Sequence, residues 1–147
     1  MRAVVQRVSS ASVDIDGRQV ARIESGLLAL VGFGEGDGKK DIHWMANKLS
    51  GLRIFEDADG KMNLSVLDTG GSILVVPNFT LYGDCQKGRR PSFSSAAAPE
   101  KARELFDRLV GLLKECGVPT PKGTFGAHMH VELTNDGPVT LIIESPQ

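Results

Sequence analysis

Gly26-Leu-Leu-Ala-Leu-Val-Gly-Phe33 carries no polar side chain, and its reading decides the fold. A short run that is apolar at every position reads as a central strand covered on both faces. Working outward, Val4, Gln6 and Val8 alternate with Ala3, Val5 and Arg7, and Ala11, Val13 and Ile15 alternate with Ser12, Asp14 and Asp16. That period of two belongs to extended chain with one buried face. Asp16-Gly17 tolerates positive φ and predicts a two-residue hairpin turn, with Gln19 to Ile23 as the returning strand. Ser72-Ile-Leu-Val-Val-Pro-Asn-Phe79 reads as a second buried strand that meets something unusual at Pro77. Leu52 to Phe55 is a short strand. Ala127 to Leu133 and Val139 to Ile143 are two more, joined through Thr134-Asn-Asp-Gly-Pro138.

Two helices separate the strands. Ile42, Met45, Ala46 and Leu49 fall at i, i+3, i+4 and i+7, one apolar stripe, with Asp37 or Asp41 to cap its start and Gly51 to stop it. Pro99 suits a first helical position. Leu105, Leu109 and Leu112 with Phe106, Val110 and Leu113 form a broad apolar face, and Gly117 ends that helix. Thr80 to Ala97 is a long loop, and loops of that length in a compact domain are usually functional or mobile. The order predicts an α+β fold: a mostly antiparallel, barrel-like sheet flanked by two helices, in a single domain of residues 1–147.

The charge is balanced, 17 Lys+Arg against 18 Asp+Glu. Bulk basicity therefore draws the chain neither to nucleic acid nor to anionic lipid, and such a contact needs a local patch. No apolar run approaches the roughly 18 residues of a membrane span. Charge returns at Arg7, so the opening segment lacks a signal peptide's apolar stretch. Two cysteines make no disulfide framework. The expectation is a soluble cytoplasmic protein.

Most sites the residues suggest dissolve on inspection. Gly32, Gly34, Gly36 and Gly38 precede a helix, but neither G-x-G-x-x-G nor G-x-x-x-x-G-K-[ST] is present. Asp57-Ala-Asp59-Gly60 opens like a calcium loop, yet Met62 stands where that loop needs glycine and Asp68 where it needs glutamate; it reads as a hairpin turn. His128 and His130 share a face of a strand, but zinc wants three or four ligands; no metal or other cofactor is expected. There is no G-x-S-x-G elbow, and nothing places Cys85 or Cys116 beside a base. Thr80 follows a buried strand, where a hydroxyl can meet a substrate but lacks a base to activate it. Lys87, Arg89 and Arg90 in the long loop are either a solvated basic turn or a clamp for phosphates. Asn135-Asp-Gly137-Pro138-Val-Thr140, taken alone, is a turn.

Together these pieces resemble the D-aminoacyl-tRNA deacylases. The likeness covers Met1-Arg-Ala-Val-Val-Gln-Arg-Val-Ser-Ser-Ala-Ser-Val13, Arg53-Ile-Phe-Glu-Asp-Ala-Asp-Gly-Lys-Met-Asn-Leu64, Arg90-Pro-Ser-Phe-Ser94, Phe79-Thr-Leu81 and Asn135-Asp-Gly-Pro-Val-Thr140. It implies a homodimer with active sites at the subunit interface, hydrolysing the ester between a D-amino acid and the terminal adenosine of tRNA. It implies a cis Gly137-Pro138 bond entering the partner's pocket, where rigid main chain at the substrate's α-carbon excludes an L side chain. Glycyl-tRNA, with no side chain to reject, should pass the same filter. Catalysis is assigned to backbone groups at Phe79 and Thr80 and to the RNA's 2′-hydroxyl, with Asn78 beside the substrate and Lys87, Arg89 and Arg90 on phosphates.

Two departures stand out. Pro77-Asn78 replaces the family's usual Ser-Gln, and a related branch that clears L-alanine from mischarged tRNA tends to carry that proline. His128 stands where the family commonly has aspartate. The competing readings are an editing deacylase of relaxed or altered chirality and a non-catalytic module that binds the tRNA end.

Overall fold

The computed structural model describes residues 1–147. The strands are β1 (Arg2–Ile15), β2 (Arg18–Ile23), β3 (Gly26–Gly32), β4 (Phe55–Glu56), β5 (Met62–Leu64), β6 (Ser72–Pro77) and β7 (His130–Glu144). The helices are α1 (Lys39–Gly51), α2 (Val66–Thr69) and α3 (Pro99–Glu115), with a 3-10 turn at Phe79–Tyr82. The main sheet runs β2-β1-β3-β6, with β7 also paired to β1. Every pairing in it is antiparallel except β3 with β6. This is the α+β architecture expected, a curled and mostly antiparallel sheet in one small domain.

The all-apolar run is the central strand. Leu27, Ala29 and Val31 enter one core with Ile73 and Val75 of β6, while Leu28, Leu74 and Val76 enter a second core on the opposite face. The first core is closed by Ile42, Met45, Ala46 and Leu49 of α1 and by Leu105, Phe106, Leu109 and Leu113 of α3. The second is closed by the sheet itself, through Ala11 and Val13 of β1 and Ala21 and Ile23 of β2. At about 25 cal/mol per Å² of apolar surface, these two layers are the main drive to this fold.

β1 can serve both cores because its alternation slips. Ala3 and Val5 face the helices, while Val8, then Ala11 and Val13, face the second core. Val8 pairs with Asn135 and Ser10 with Thr134, so Ser9 is an extra residue on β1. One extra residue moves every later side chain to the other face. Asp16 and Gly17 turn to β2 at φ of 51° and 75°.

Several local readings need correction. Of the two caps expected for α1 only Asp41 serves: the helix opens at Gly38, whose N–H donates to the Asp41 carboxylate at 2.9 Å. Asp37 caps nothing; it accepts from the Met1 ammonium and from the Gly34 N–H, each at 2.6 Å. The strand expected at Leu52–Phe55 is only Phe55–Glu56, paired with β5 around a turn in which the Asp57 Oδ1 accepts from the Asp59 and Lys61 amides. A third helix, α2, went unread although Ser65 and Asp68 cap it reciprocally, Ser65 Oγ accepting from the Asp68 amide and Asp68 from the Ser65 amide. The strand expected to reach Phe79 stops at Pro77, because Asn78 starts the 3-10 turn. Finally, the tail is one strand and not a hairpin. β7 keeps its pairing with β1 on both sides of Gly137-Pro138.

Candidate active site

Phe79 and Thr80 are placed by the end of the parallel pair. The Asn78 N–H donates to the Val31 carbonyl at 2.7 Å, extending the β3 edge by one bond beyond Pro77. The Asn78 side-chain oxygen then turns back and accepts from the Thr80 amide at 3.2 Å and from the Thr80 hydroxyl, a side-chain cap for the turn. The Leu81 amide donates to the Asn78 carbonyl at 3.4 Å. The Phe79 N–H, first in the turn, is left without an acceptor of its own, as first-turn donors are. Thr80 is exposed and its hydroxyl is engaged by Asn78, with no base beside it.

The far end of the turn is held from within the chain. Arg2 Nη1 donates to the Leu81 carbonyl at 3.1 Å, and its guanidinium lies 4.5 Å from the centre of the Tyr82 ring. The Tyr82 hydroxyl donates to Asp37 at 3.4 Å. Burial, with the Asp37 charge behind it, pushes the Tyr82 phenol up to about 12. Asp41 moves the other way. Burial opposes its charge, but hydrogen bonds from Ser145 and the Gly38 amide and the nearby Met1 ammonium hold it below the usual carboxylate value.

The cationic loop is joined to this turn. Asp84 and Ser92 exchange backbone hydrogen bonds at 2.7 and 2.9 Å, closing the segment that carries Lys87, Arg89 and Arg90, all exposed. Just beyond, Phe93 packs edge-on against Phe79 with ring centres 5.2 Å apart. Phe79 is nevertheless 59% exposed. Beside it opens a groove of about 360 Å³, whose walls include Leu30, Val76, Asn78, Phe79, His128 and Met129.

Gly137 and Pro138 lie elsewhere, lining none of the recesses that hold Asn78 and Phe79. Gln6 pairs with Thr140 and Val8 with Asn135, so Asp136 to Val139 bulge out opposite Arg7 alone. The Gly137–Pro138 peptide is cis. Asn135 straps the bulge shut, its Nδ2 donating to the Val139 carbonyl and its Oδ1 accepting from the Val139 N–H, both at 3.0 Å. Arg7, buried to 7% exposure, donates from Nε to the Asp136 carbonyl at 2.9 Å and from Nη1 to the Ile54 carbonyl at 2.7 Å. Neither Arg7 nor Asn135 was singled out as a site residue. The signal for Arg7 was its place on the same strand face as Ala3 and Val5, where a cation needs partners.

The arrangement offers a backbone donor beside an exposed aromatic groove, a cationic loop coupled to it, and a rigid exposed main-chain bulge. Nothing in it is a nucleophile–base pair, and no cluster of three His, Cys, Asp or Glu could hold a metal ion. A site with these parts suits a substrate that is already activated and is recognised through its main-chain-like atoms and phosphates.

Comparison with known proteins names that class. Residues 4–144 match the family model described as D-Tyr-tRNA(Tyr) deacylase. The chain is 57% identical to a D-aminoacyl-tRNA deacylase of Thermotoga petrophila, over 99% of this chain and 97% of that one. It is 58% identical to one of Carboxydothermus hydrogenoformans, over 98% and 99%. Among solved structures it matches "c-Myc DNA Unwinding Element Binding Protein" at TM-score 0.95 and 40% identity over the whole of both chains. It shares its fold with a eukaryotic protein described as a "probable eukaryotic D-amino acid tRNA deacylase", at TM-score 0.80 and 19% identity over 97% and 98%. The chain belongs to the D-Tyr-tRNA(Tyr) deacylase family, and both bacterial relatives carry the name D-aminoacyl-tRNA deacylase.

Proposed function

We propose that this protein hydrolyses the ester joining a D-amino acid to the terminal adenosine of tRNA. Water adds to the ester carbonyl, the bond to the ribose oxygen breaks, and a D-amino acid and free tRNA leave. The observation that carries the reading is the division of the site: a turn with a spare N–H at Phe79 and a strapped Gly137-Pro138 bulge, apart in one chain. A second copy supplies what each half lacks. β7 pairs on one side only, with Ile142 78% exposed and Leu133 36% exposed. An edge of that length and apolarity suits a self-complementary dimer contact.

In this reading the bulge of one subunit enters the groove beside Phe79 of the other. Its carbonyl oxygens accept from the substrate's amino group, and its main chain fills the space an L side chain would need. Glycyl-tRNA is therefore cleaved as well. The Phe79 N–H is aimed at the oxyanion, and the neighbouring 2′-hydroxyl of the RNA supplies positioned polar help. Thr80 fixes the turn through Asn78. Lys87, Arg89 and Arg90 hold acceptor-end phosphates. The reading makes the protein cytoplasmic, where aminoacyl-tRNA is used; no helix is long and apolar enough to cross a membrane.

The test is deacylation of matched D- and L-tyrosyl-tRNA by metal-stripped protein. Loss of the D ester with the L ester spared is expected. Loss of both, or of the L ester first, would favour an editor of altered chirality, the reading that Pro77 and the engaged Asn78 side chain support. Salt-sensitive binding without turnover would leave a tRNA-end binding module.

A further inference from the structure

The groove beside Phe79 is walled by Leu30 and Val76 from the sheet, by Pro77, Asn78 and Phe79 from the strand end and turn, and by the segment Gly126–Val131. Only one of its lining side chains ionises, and that is His128. His128 is exposed, and its ring meets the His130 ring edge-on at 5.1 Å. The other charged groups near it come from the strands: Asp14 is opposite His130 in the β1–β7 register, and Glu132 follows on β7. None of the ion pairs in the molecule involves either histidine, so no carboxylate lies within 4.0 Å of their nitrogens. β3, β6 and the turn present no charge to the groove.

We infer that His128 is a substrate contact that grips the phosphodiester on the 5′ side of the terminal adenosine. The inference rests on the deacylase reading and deepens it. A substrate seated beside Phe79 brings two charges: the α-ammonium of its amino acid and the phosphate one ribose away. A ring N–H that can carry positive charge is a donor to phosphate and a poor neighbour for an ammonium. On an otherwise uncharged wall it therefore orients the substrate, phosphate toward the Gly126–Val131 rim and aminoacyl group toward Phe79. Because that phosphate is present in ground and transition states alike, the contact lowers KM and leaves kcat and chirality untouched.

The experiment compares His128→Gln, His128→Lys and His128→Asp with wild type on D-tyrosyl-tRNA and on D-tyrosyl-adenosine, which has the same ester but no 5′ phosphate. On tRNA, KM should rise about threefold for Gln and about tenfold for Asp, and fall back to wild type for Lys, with kcat within about twofold throughout. The slope of log KM against log salt should weaken for Gln, by at most the ~0.7 of one full charge. On D-tyrosyl-adenosine all four proteins should share one KM. Equal KM values on tRNA would overturn the assignment, and so would the same rise on D-tyrosyl-adenosine, since that places His128 on the aminoacyl group. Wild type inert toward both esters would overturn the deacylase reading, a failure visible before any variant is compared.

Discussion

The Phe79 turn and the Gly137-Pro138 bulge are built by opposite means. The turn is the continuation of buried structure: β6 delivers it, Val31 fixes Asn78, and Arg2 and Tyr82 hold its far end. The bulge interrupts a ladder, stands exposed, and is held by straps, Asn135 across its neck and Arg7 beneath it. The first is rigid because the core behind it is rigid. The second is rigid although nothing in its own chain covers it. A main-chain projection this well tied and this exposed makes sense where another surface receives it, which is why in the proposed function the two regions are complementary halves of one site.

The sharpest way to break the comparison is Gly137→Ala. A Cβ there would stand 2.1 Å from the Val139 N and 3.0 Å from the Asn135 Oδ1, so the methyl reshapes the strapped loop and, in the proposed dimer, enlarges what would enter the groove. Displacing a substrate-facing group by about an ångström can cost on the order of 100-fold in rate. We expect such a loss with a circular-dichroism spectrum close to wild type, while the clash with the Val139 backbone lowers the melting temperature without unfolding the domain. Mixing this variant with Asn78→Ala, and exchanging subunits, should restore part of the activity, because the mixed dimer has one site with both halves intact. No recovery would mean that the halves do not meet across subunits.

Asn78→Ala alone tests the turn. It removes the oxygen that accepts from the Thr80 amide and hydroxyl. Loss of a side-chain cap typically costs about 0.5–2 kcal/mol. Activity should fall about tenfold through kcat as the Phe79 N–H loses its fixed aim. Activity unchanged at a lowered melting temperature would show that the turn carries no chemistry.

The same contrast explains what could be read in the sequence. The turn's surroundings were legible because they are core: the unbroken apolar run at Gly26–Phe33, the stripe of α1 and the face of α3 each state their own burial. The bulge was not. By pattern alone Asn135-Asp-Gly-Pro is a hairpin turn, and the strand that resumes at Val139 looks like a new one. Only pairing with β1, at the other end of the chain but adjacent in space, shows one strand throughout. Its site meaning came from family resemblance. Arg7 was passed over for the same reason, since its acceptors at Ile54 and Asp136 are distant in the chain. Phe93 follows the basic loop in sequence, but its contact with Phe79 is not predictable from spacing.

Replacing Lys87, Arg89 and Arg90 by glutamine asks whether the loop coupled to the turn through Phe93 reads phosphate. All three are exposed, so stability should hold. KM for aminoacyl-tRNA should rise several-fold at low salt, and the salt slope should weaken by about 0.7 for each charge that meets a phosphate. A slope unchanged by the triple substitution would make the loop a solvated turn.

Tyr82→Phe should have the smallest effect, and it separates the two halves by pH. The Tyr82 phenol is raised from 10.0 to about 12 by burial and by the Asp37 charge, so the folded protein keeps its proton where the unfolded chain gives it up. Above the unfolded value, stability therefore falls as pH rises, until the folded phenol also ionises near the upper value. Phenylalanine has no proton to lose. Its melting temperature should decline less steeply than that of wild type as pH rises above 10, while at neutral pH it forgoes only the 3.4 Å bond to Asp37. Tyr82 anchors the turn and not the bulge, so alkaline loosening should reach the Phe79 side first. Parallel melting curves for the two proteins across that range would show that the phenol's surroundings do not hold its proton, and that the turn owes its place to Arg2 and Val31 alone.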